Sequence, residues 1–432
     1  MSKTRFLGNL IKTNPTLPTA NSGANYGTAT GVWTLEEAGA FRAAGDWPIP
    51  ASAPGAPTIT GVTAGNAQVA VAFSANASTG GLDVSSFTAL ASSGQSASGS
   101  SSPITVTGLT NGTAITFTVT ATNAASTSSA SSASDSVTPL IGVVGIIAGG
   151  QSGNTSTITN TIQYVSIASA SNSSDWGDLT VGRSGVGSGS SSTRAVFAYG
   201  GDTSSNNLNT IDYISLTATG NATDFGDMST SRDGTIGMSN NTYAVFADQY
   251  VMRYVTIAST GNSSDWGNMQ LLRSAGVSCA SPTYGIFAQR NAFSNTIEYI
   301  TFSSTGNSAT WGSLTTSSAS GSGASSSTRG LAQLAYNASY AALTQVDYFS
   351  LSSTGNASDF GDLTAARSSI KEGTSNATKA IFAGGYSDAS SARVKNIDVF
   401  TIASTGNASD FGDLLANSSQ HASTSNAHGG LS

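Results

Sequence analysis

Cysteine is nearly absent from this sequence: Cys279 stands alone among 432 residues, so no disulfide can form within the chain. A lone thiol of this kind is expected to act as a small buried apolar residue. Charge is scarce as well. Asp, Glu, Lys and Arg make up 9% of the residues, against roughly 25% in an ordinary soluble protein. The net charge is −7 and the 16 basic residues are scattered, so no basic patch is available to neutralise nucleic-acid phosphates. The two histidines, His421 and His428, are too few for a histidine-rich metal centre. The Asp residues lack the dense oxygen spacing of a calcium loop. No cofactor and no metal are therefore expected. Long apolar runs are also missing. The longest, near Ile141 to Ala148, is far shorter than the ~20 residues of a membrane-spanning helix. Met1 to Leu10 lacks the apolar stretch of a secretion signal. The expectation is a soluble chain made in a cytoplasm, with no membrane insertion.

What the chain has instead is Ser, Thr, Asn, Gly and Ala, with 38% hydrophobic residues gathered in short strand-like runs. That pattern reads as ordered β-structure with uncharged polar surfaces. Three segments are expected, at residues 1–50, 51–139 and 140–432. In the first, Thr34 and Glu37 have the spacing of a capping box, and Gly45 and Pro48 stop the helix it would open. About ten residues make a marginal helix alone. Trp33, Leu35, Phe41 and Trp47 give it more apolar surface than it can bury, so these four are the candidate docking residues.

In residues 51–139 the larger apolar residues Val69, Val71 and Phe73 alternate along one strand, and Ile115 to Thr122 alternates likewise. The order of Pro57, the strand ending at Phe73, Gly108-Leu109-Thr110-Asn111-Gly112-Thr113 and Phe117-Thr118-Val119 resembles a fibronectin type III domain. It departs from that family at Phe73, where tryptophan is usual, and at Ile115, near the usual corner tyrosine. The resemblance implies a β-sandwich spacer.

Residues 142–432 repeat. An aromatic in an Asp-aromatic-Gly step, with Thr310 in place of the Asp before Trp311, recurs at Trp176, Phe225, Trp266, Trp311, Phe360 and Phe411, at intervals of 49, 41, 45, 49 and 51 residues. That is the length of one four-stranded propeller blade. Each repeat reads as four strands: a, small and Gly/Ser-rich; b, apolar; c, bearing Tyr; and d, bearing the aromatic step. Gly-Asn pairs such as Gly220-Asn221 and Gly261-Asn262 fit tight c–d turns. Val143 to Gly150 reads as an opening strand b and Ser418 to Asn426 as an unpartnered strand a, so the last strand is expected to complete the first blade. Gly-Gly after strand b, Tyr in c, the aromatic in d and then Arg together resemble the kelch repeat. The expected fold is all-β: an N-terminal docking segment, a fibronectin type III-like sandwich and a six-bladed kelch-like β-propeller closed by the C-terminal strand. Its b–c loops vary most, at Asp202 to Leu208, Arg290 to Ser294, Ala335 to Leu343 and Tyr386 to Lys395. They are expected to point away from the sandwich and to carry recognition.

Asp-Phe-Gly at Asp224, Asp359 and Asp410 belongs to the repeat and not to a kinase. Arg183, Arg232, Arg273 and Arg367 follow Asp178, Asp227, Asn268 and Asp362 by five residues, and are expected to brace the d–a turns by hydrogen bonds or ion pairs, with ligand contact as the alternative. Non-repeating acids such as Glu298 and Glu372 do not make the carboxylate pair a glycosidase needs, so no catalytic residue is expected.

Val32-Trp33-Thr34-Leu35-Glu36-Glu37 followed by Trp47-Pro48 resembles the N-terminal stretches of virion structural proteins of marine bacteriophages, including those infecting cyanobacteria. The resemblance implies a non-enzymatic tail fibre or surface appendage located on the virion. Its implied partners are other virion proteins, through residues 1–50, and host-surface glycan or protein, with several copies per particle. A head or neck decoration protein, a propeller-type carbohydrate-active enzyme and a bacterial adhesin are the alternatives.

Overall fold

The computed structural model describes residues 51–431, except 154–156, 274–275 and 289–292. The expected docking side chains Trp33, Leu35, Phe41 and Trp47, and the helix expected around them, lie outside the described residues. The chain divides into two units, Met1–Ile141 and Gly142–Ser432. The described residues of both are all-β and built from small antiparallel sheets. The 3-10 turn Gly429–Leu431 is the only helical element among the described residues.

In the first unit, Thr58–Gly65, Gln68–Ser74 and Ile104–Thr107 form one sheet. Ser96–Gly99, Val84–Ala91 and Phe117–Asn123 form another. The alternation read from the sequence sets which side chains enter the core. Val69, Val71 and Phe73 from one sheet meet Phe87, Phe117 and Val119 from the other. The Ser/Ala-rich stretch after Asn123 forms an extended strap along the edge of Phe117–Asn123. Backbone N–H groups of Ser128, Ser131 and Ser134 donate to the carbonyls of Ala121, Val119 and Phe117. The hydroxyls of the same serines accept from the N–H groups of those three residues, at 2.9, 3.0 and 3.0 Å. The strap advances three residues for every two of the strand, and the serine oxygen fills the place a strand carbonyl would take. A sheet edge that would otherwise offer open pairing sites is thereby covered.

Six larger sheets follow one another in the second unit, which also has two small ribbons, Tyr386–Ser387 with Ala392–Arg393, and Gln151–Ser152 between Thr157–Ile158 and Ser418–Ser419. Sheet II has strands a to d at Gly187–Ser190, Arg194–Ala198, Leu208–Ser215 and Thr223–Arg232. Sheet IV uses Val277–Ala280, Tyr284–Ala288, Ser294–Thr301 and Ala309–Ser318. Sheet V uses Ser322–Ser325, Arg329–Gln333, Gln345–Ser350 and Ser358–Asp362. Sheet VI uses Thr374–Ser375, Lys379–Ala383, Asn396–Thr401 and Ser409–Asp413. In sheet III the single run Tyr243–Thr256 serves as both b and c, between Ile236–Ser239 and Ser264–Arg273. Sheet I has b, c and d at Val144–Ala148, Thr161–Ser166 and Ser174–Asp178. Its strand a is Ala422–Ser425 from the far end of the chain, paired antiparallel to Val144–Ala148.

The a strands are short and consist largely of small residues because they crowd one another. Strand a of sheet II lies against those of sheets III and I; III lies against IV, IV against V, V against VI, and VI against I. A methyl group on Gly237 would overlap the Ser188 carbonyl. The serines that end these strands join them further. Ser239 Oγ accepts from Ser190 N–H at 2.8 Å and donates to Ser190 O. Ser325 does the same to Ala280, and Ser375 to Ser325.

Each repeated aromatic is buried, and five of the six meet a strand-c tyrosine edge-on, while Phe411 packs with Val399 instead. Tyr164–Trp176, Tyr213–Phe225, Tyr254–Trp266 and Tyr299–Trp311 have centroids 5.3, 5.9, 5.1 and 5.1 Å apart, a favoured geometry. The Gly-Asn pairs do lie between strands c and d, and they also join neighbouring sheets. Gly261 N–H donates to Phe225 O of the preceding sheet, and Asn262 Oδ1 accepts from Asp227 N–H at 2.9 Å. A Cβ on Gly226 would stand 2.6 Å from Gly261 O, which explains the glycine after the aromatic. Asn221, Asn307, Asn356 and Asn407 repeat the contact. Sheet VI meets sheet I in the same way, with Asp413 N–H donating to Asn172 Oδ1 at 3.0 Å.

Candidate functional site

At the end where strands b lead into c and strands d lead into a, strand c places one polar residue inward per sheet: Gln163, Asp212, Arg253, Glu298, Asp347 and Asp398. Asp212 has no exposed surface and takes donors from sheet I. Thr180 N–H lies at 3.0 Å, Thr180 Oγ1 at 2.7 Å and Arg183 Nη2 at 3.0 Å. Arg183 also donates to Phe197 O. Asp398 repeats the arrangement with Thr364 and with Arg367 at 3.1 Å. Asp347 keeps the threonine, Thr315, and adds Gln345. Burial pushes the Asp347 carboxyl upward, and its Thr315 and Gln345 donors pull it back. Burial also lowers the pKa of Arg183 and Arg367, offset by Asp212 and Asp398.

These contacts hold the d–a connections at Thr180 to Arg183 and Thr364 to Arg367. Arg183 and Arg367 do not pair with Asp178 and Asp362. Each turns inward to an acid of the next sheet, because a guanidinium taken out of water needs a partner equally removed from it. Arg273 belongs to strand d of sheet III, and its side chain lies outside what the structure describes.

Sheet III breaks the pattern. Its strand-c position is Arg253, a cation where sheets II, IV, V and VI have acids. Arg232 from sheet II, 42% exposed, pairs instead with Asp248 at the end of strand b, Nε to Oδ2 at 2.9 Å. Burial raises the Asp248 pKa to about 6, with Arg232 opposing. Arg253 makes no side-chain hydrogen bond or ion pair among the described residues, and its Nε is buried without a partner. A cavity of about 120 Å³ opens here, lined by Tyr199, Arg232, Asp248, Gln249, Tyr250 and Arg253 among others. It exists because strand b of sheet III turns directly into c at Asp248-Gln249-Tyr250, with Gln249 at φ 52°. Sheet II instead inserts the loop from Asp202, where the Asp202 carboxylate binds Ser204 N–H, Asn206 N–H and Asn206 Nδ2.

The a strands enclose a second cluster. Glu372 is fully buried and receives Ser188 N–H, Ser188 Oγ, Gly237 N–H and Ser423 N–H at 3.2, 2.6, 2.8 and 3.0 Å. It thus ties four sheets together. Burial pushes its pKa upward and the Ser188, Ser423 and Gly237 hydrogen bonds oppose this. Three of its partners are N–H groups that only donate, which favours the carboxylate. The neighbouring Lys371 is also buried, with its pKa lowered by burial and supported by Glu372. Below them the C-terminal turn packs into the same space, with His428 Nε2 3.1 Å from both Ser190 O and Ser239 Oγ. The space left between is about 50 Å³. Cys279 is buried there as expected, its thiol facing Ala324 O and Leu331 O, with burial pushing its pKa up to about 12.

The sequence reading singled out the variable loops and passed over Arg253. The signal was present: a single cation at a position that is acidic in four of its counterparts. Of the acids it weighed, Glu298 binds Ser308 Oγ and Gln270 N–H between sheets, while Glu372 lies at the a strands, so the structure does not bring the two together. Among the described residues no three His, Cys, Asp or Glu side chains are grouped to hold a metal ion, and no helix is long and apolar enough to cross a membrane.

No protein-family model and no curated protein matches the chain. Among solved structures, one titled "Structure of YjhT" is similar over 60% of this chain and 95% of its own, at 8% identity and a TM-score of 0.45. A likeness that loose carries no argument about function.

Proposed function

We propose that the chain is a non-enzymatic structural protein of a bacteriophage virion, a tail fibre or surface appendage anchored through residues 1–50. In this reading the first unit is a fibronectin type III-like spacer. The second is a six-bladed kelch-like propeller, closed by its C-terminal strand, that presents a recognition face to the host. Sheet VI meets sheet I through the same Asn–amide contact that joins the other neighbours, which supports six blades in a closed circle. The observation that carries the functional reading is the filled hub. Glu372, Lys371 and the C-terminal turn occupy the axis and leave about 50 Å³, far less than the 300 Å³ or more of an ordinary small-molecule site. Binding is then left to the loop-bearing face.

Mass spectrometry and electron microscopy of purified particles test this reading. The chain is expected on the virion exterior, with residues 1–50 in contact with other virion proteins. Deleting residues 1–50 is expected to abolish incorporation. Absence from particles, or incorporation without that segment, would overturn the anchor assignment, and placement on the capsid or neck would favour the decoration role.

A further inference from the structure

We propose that the cavity between sheets II and III is a subsite for the carboxylate of an acidic sugar, held by Arg253 and Arg232 with Tyr250 beside the ring. This names the ligand class of the recognition face, and so rests on that reading.

The repeat itself supplies the argument. In sheets II and VI a carboxylate from strand c meets an arginine from the preceding sheet at 3.0 and 3.1 Å. In sheet III the arginine of the preceding sheet, Arg232, is present, but the strand-c residue is a second cation, Arg253. Asp248 meets Arg232 through Nε at 2.9 Å. The cavity lining therefore holds two guanidinium groups and one carboxylate. Among the described residues Arg253 makes no side-chain hydrogen bond, and its buried Nε lacks a partner. A buried donor without an acceptor is unfavourable, more so when charged. Nearby Lys371 is buried against Glu372, while Asp233 is exposed and screened by solvent. An incoming carboxylate would complete the arrangement that the other sheets make internally, in the planar two-point geometry arginine favours.

The surroundings suit a sugar. Tyr250 is 51% exposed and offers an aromatic surface to the apolar face of a pyranose ring. Gln249 beside it and the Tyr199 hydroxyl, which bonds Thr230, supply polar groups for ring hydroxyls. A volume of about 120 Å³ admits the carboxylate and part of one ring, the rest of a chain lying outside.

Calorimetric titration of the full chain with trigalacturonate, its methyl ester, maltotriose and glucose 6-sulfate tests the assignment. Trigalacturonate is expected to bind, with the ester and maltotriose at least tenfold weaker. Arg253→Gln should weaken trigalacturonate binding at least tenfold, and Tyr250→Ala several-fold. Arg253→Asp rebuilds the internal pair with Arg232, so it should fold with an unchanged or higher Tm and lose binding. Equal binding of acid and ester, no binding of trigalacturonate, or wild-type affinity in a folded Arg253→Asp protein would each overturn the proposal. Sulfate bound more tightly than carboxylate would overturn the carboxylate assignment. A chain found on virions that binds host cells but not trigalacturonate would sink the subsite and leave the virion reading standing. A chain that binds trigalacturonate but is absent from virions would do the reverse.

Discussion

Arg183 is among the largest fully buried side chains in the protein, and in a chain so poor in charge it has one ion-pair partner, Asp212. Breaking such a pair leaves one charge stranded, which destabilises by roughly 3–5 kcal/mol, whereas replacing both members by apolar residues is often neutral. Asp212→Leu alone is therefore expected to lower the free energy of urea unfolding by about that amount, and Arg183→Met with Asp212→Leu to recover most of it. Equal losses in the single and double variants would show that the pair holds nothing between sheets I and II. His421 gives a second prediction at this scale. Its ring is fully buried between Ala383 O and Ser423 Oγ, and burial lowers its pKa to about 4. The folded ring stays neutral at pH 5, where the unfolded chain takes up a proton. Its contribution is complete above pH 6.5 and is lost as the pH falls through 4, on the order of 3 kcal/mol in all. His428 shifts in the same direction, but its ring edge is partly open, so burial weighs less on it. Asp248 runs the opposite way: raised to about 6, it contributes below the ordinary carboxylate range and loses that contribution as the pH rises through 6. Comparing wild type with His421→Gln cancels the Asp248 contribution. Unfolding titrations from pH 7 to 4 should show a shallower decline in the variant, and parallel curves would remove His421 as the group that takes up the proton.

Among the elements, the serine strap behaves unlike any strand. Removing one hydroxyl leaves an N–H without its side-chain acceptor, so Ser131→Ala is expected to destabilise the first unit by about 1 kcal/mol. It should also speed amide exchange at Val119 more than at Val71. Unchanged exchange at Val119 would mean that the backbone carbonyls alone secure the edge. The strap also shows where the sequence was hard to read. A three-residue step matches neither the two-residue period of a strand nor the helical 3.6, and Thr127 to Asp135 looks like a spacer. Strands with alternating or continuous apolar residues were legible: Val69 to Phe73, Val144 to Ala148 and Ala195 to Ala198 all fall where the pattern puts them. The aromatic slots set the repeat and the strand order within it. The arginine partners were not legible, because the acid that meets Arg183 is 29 positions away in another sheet, and no local spacing encodes a contact between sheets. Arg253 stands out only when the six strand-c positions are laid side by side.

For the molecule as a whole, the pairing of Ala422–Ser425 with Val144–Ala148 makes the far end of the chain part of sheet I. Deleting residues 418–432 would expose strand b of that sheet as a free edge and would remove His428 and the terminal turn from the hub. Free edges recruit other chains. The truncated protein is expected to form concentration-dependent oligomers in light scattering and to lose several degrees of Tm. A monomer of wild-type Tm would show that the terminal strand contributes little to closure.

The same pairing sets the order of events on the ribosome. Val144–Ala148 emerges early and cannot complete its sheet until Ala422–Ser425 has been made, some 270 residues later. Local hairpins such as Tyr243–Thr256 can form at once, but sheet I has to wait. At about 5–20 residues per second that wait lasts on the order of 15–50 s, during which strand b of sheet I is left without its partner. The low charge of the chain offers little repulsion in that interval. Cells making this protein in quantity should therefore depend on chaperones that hold nascent β-chains, a demand that ends when the last strand is released.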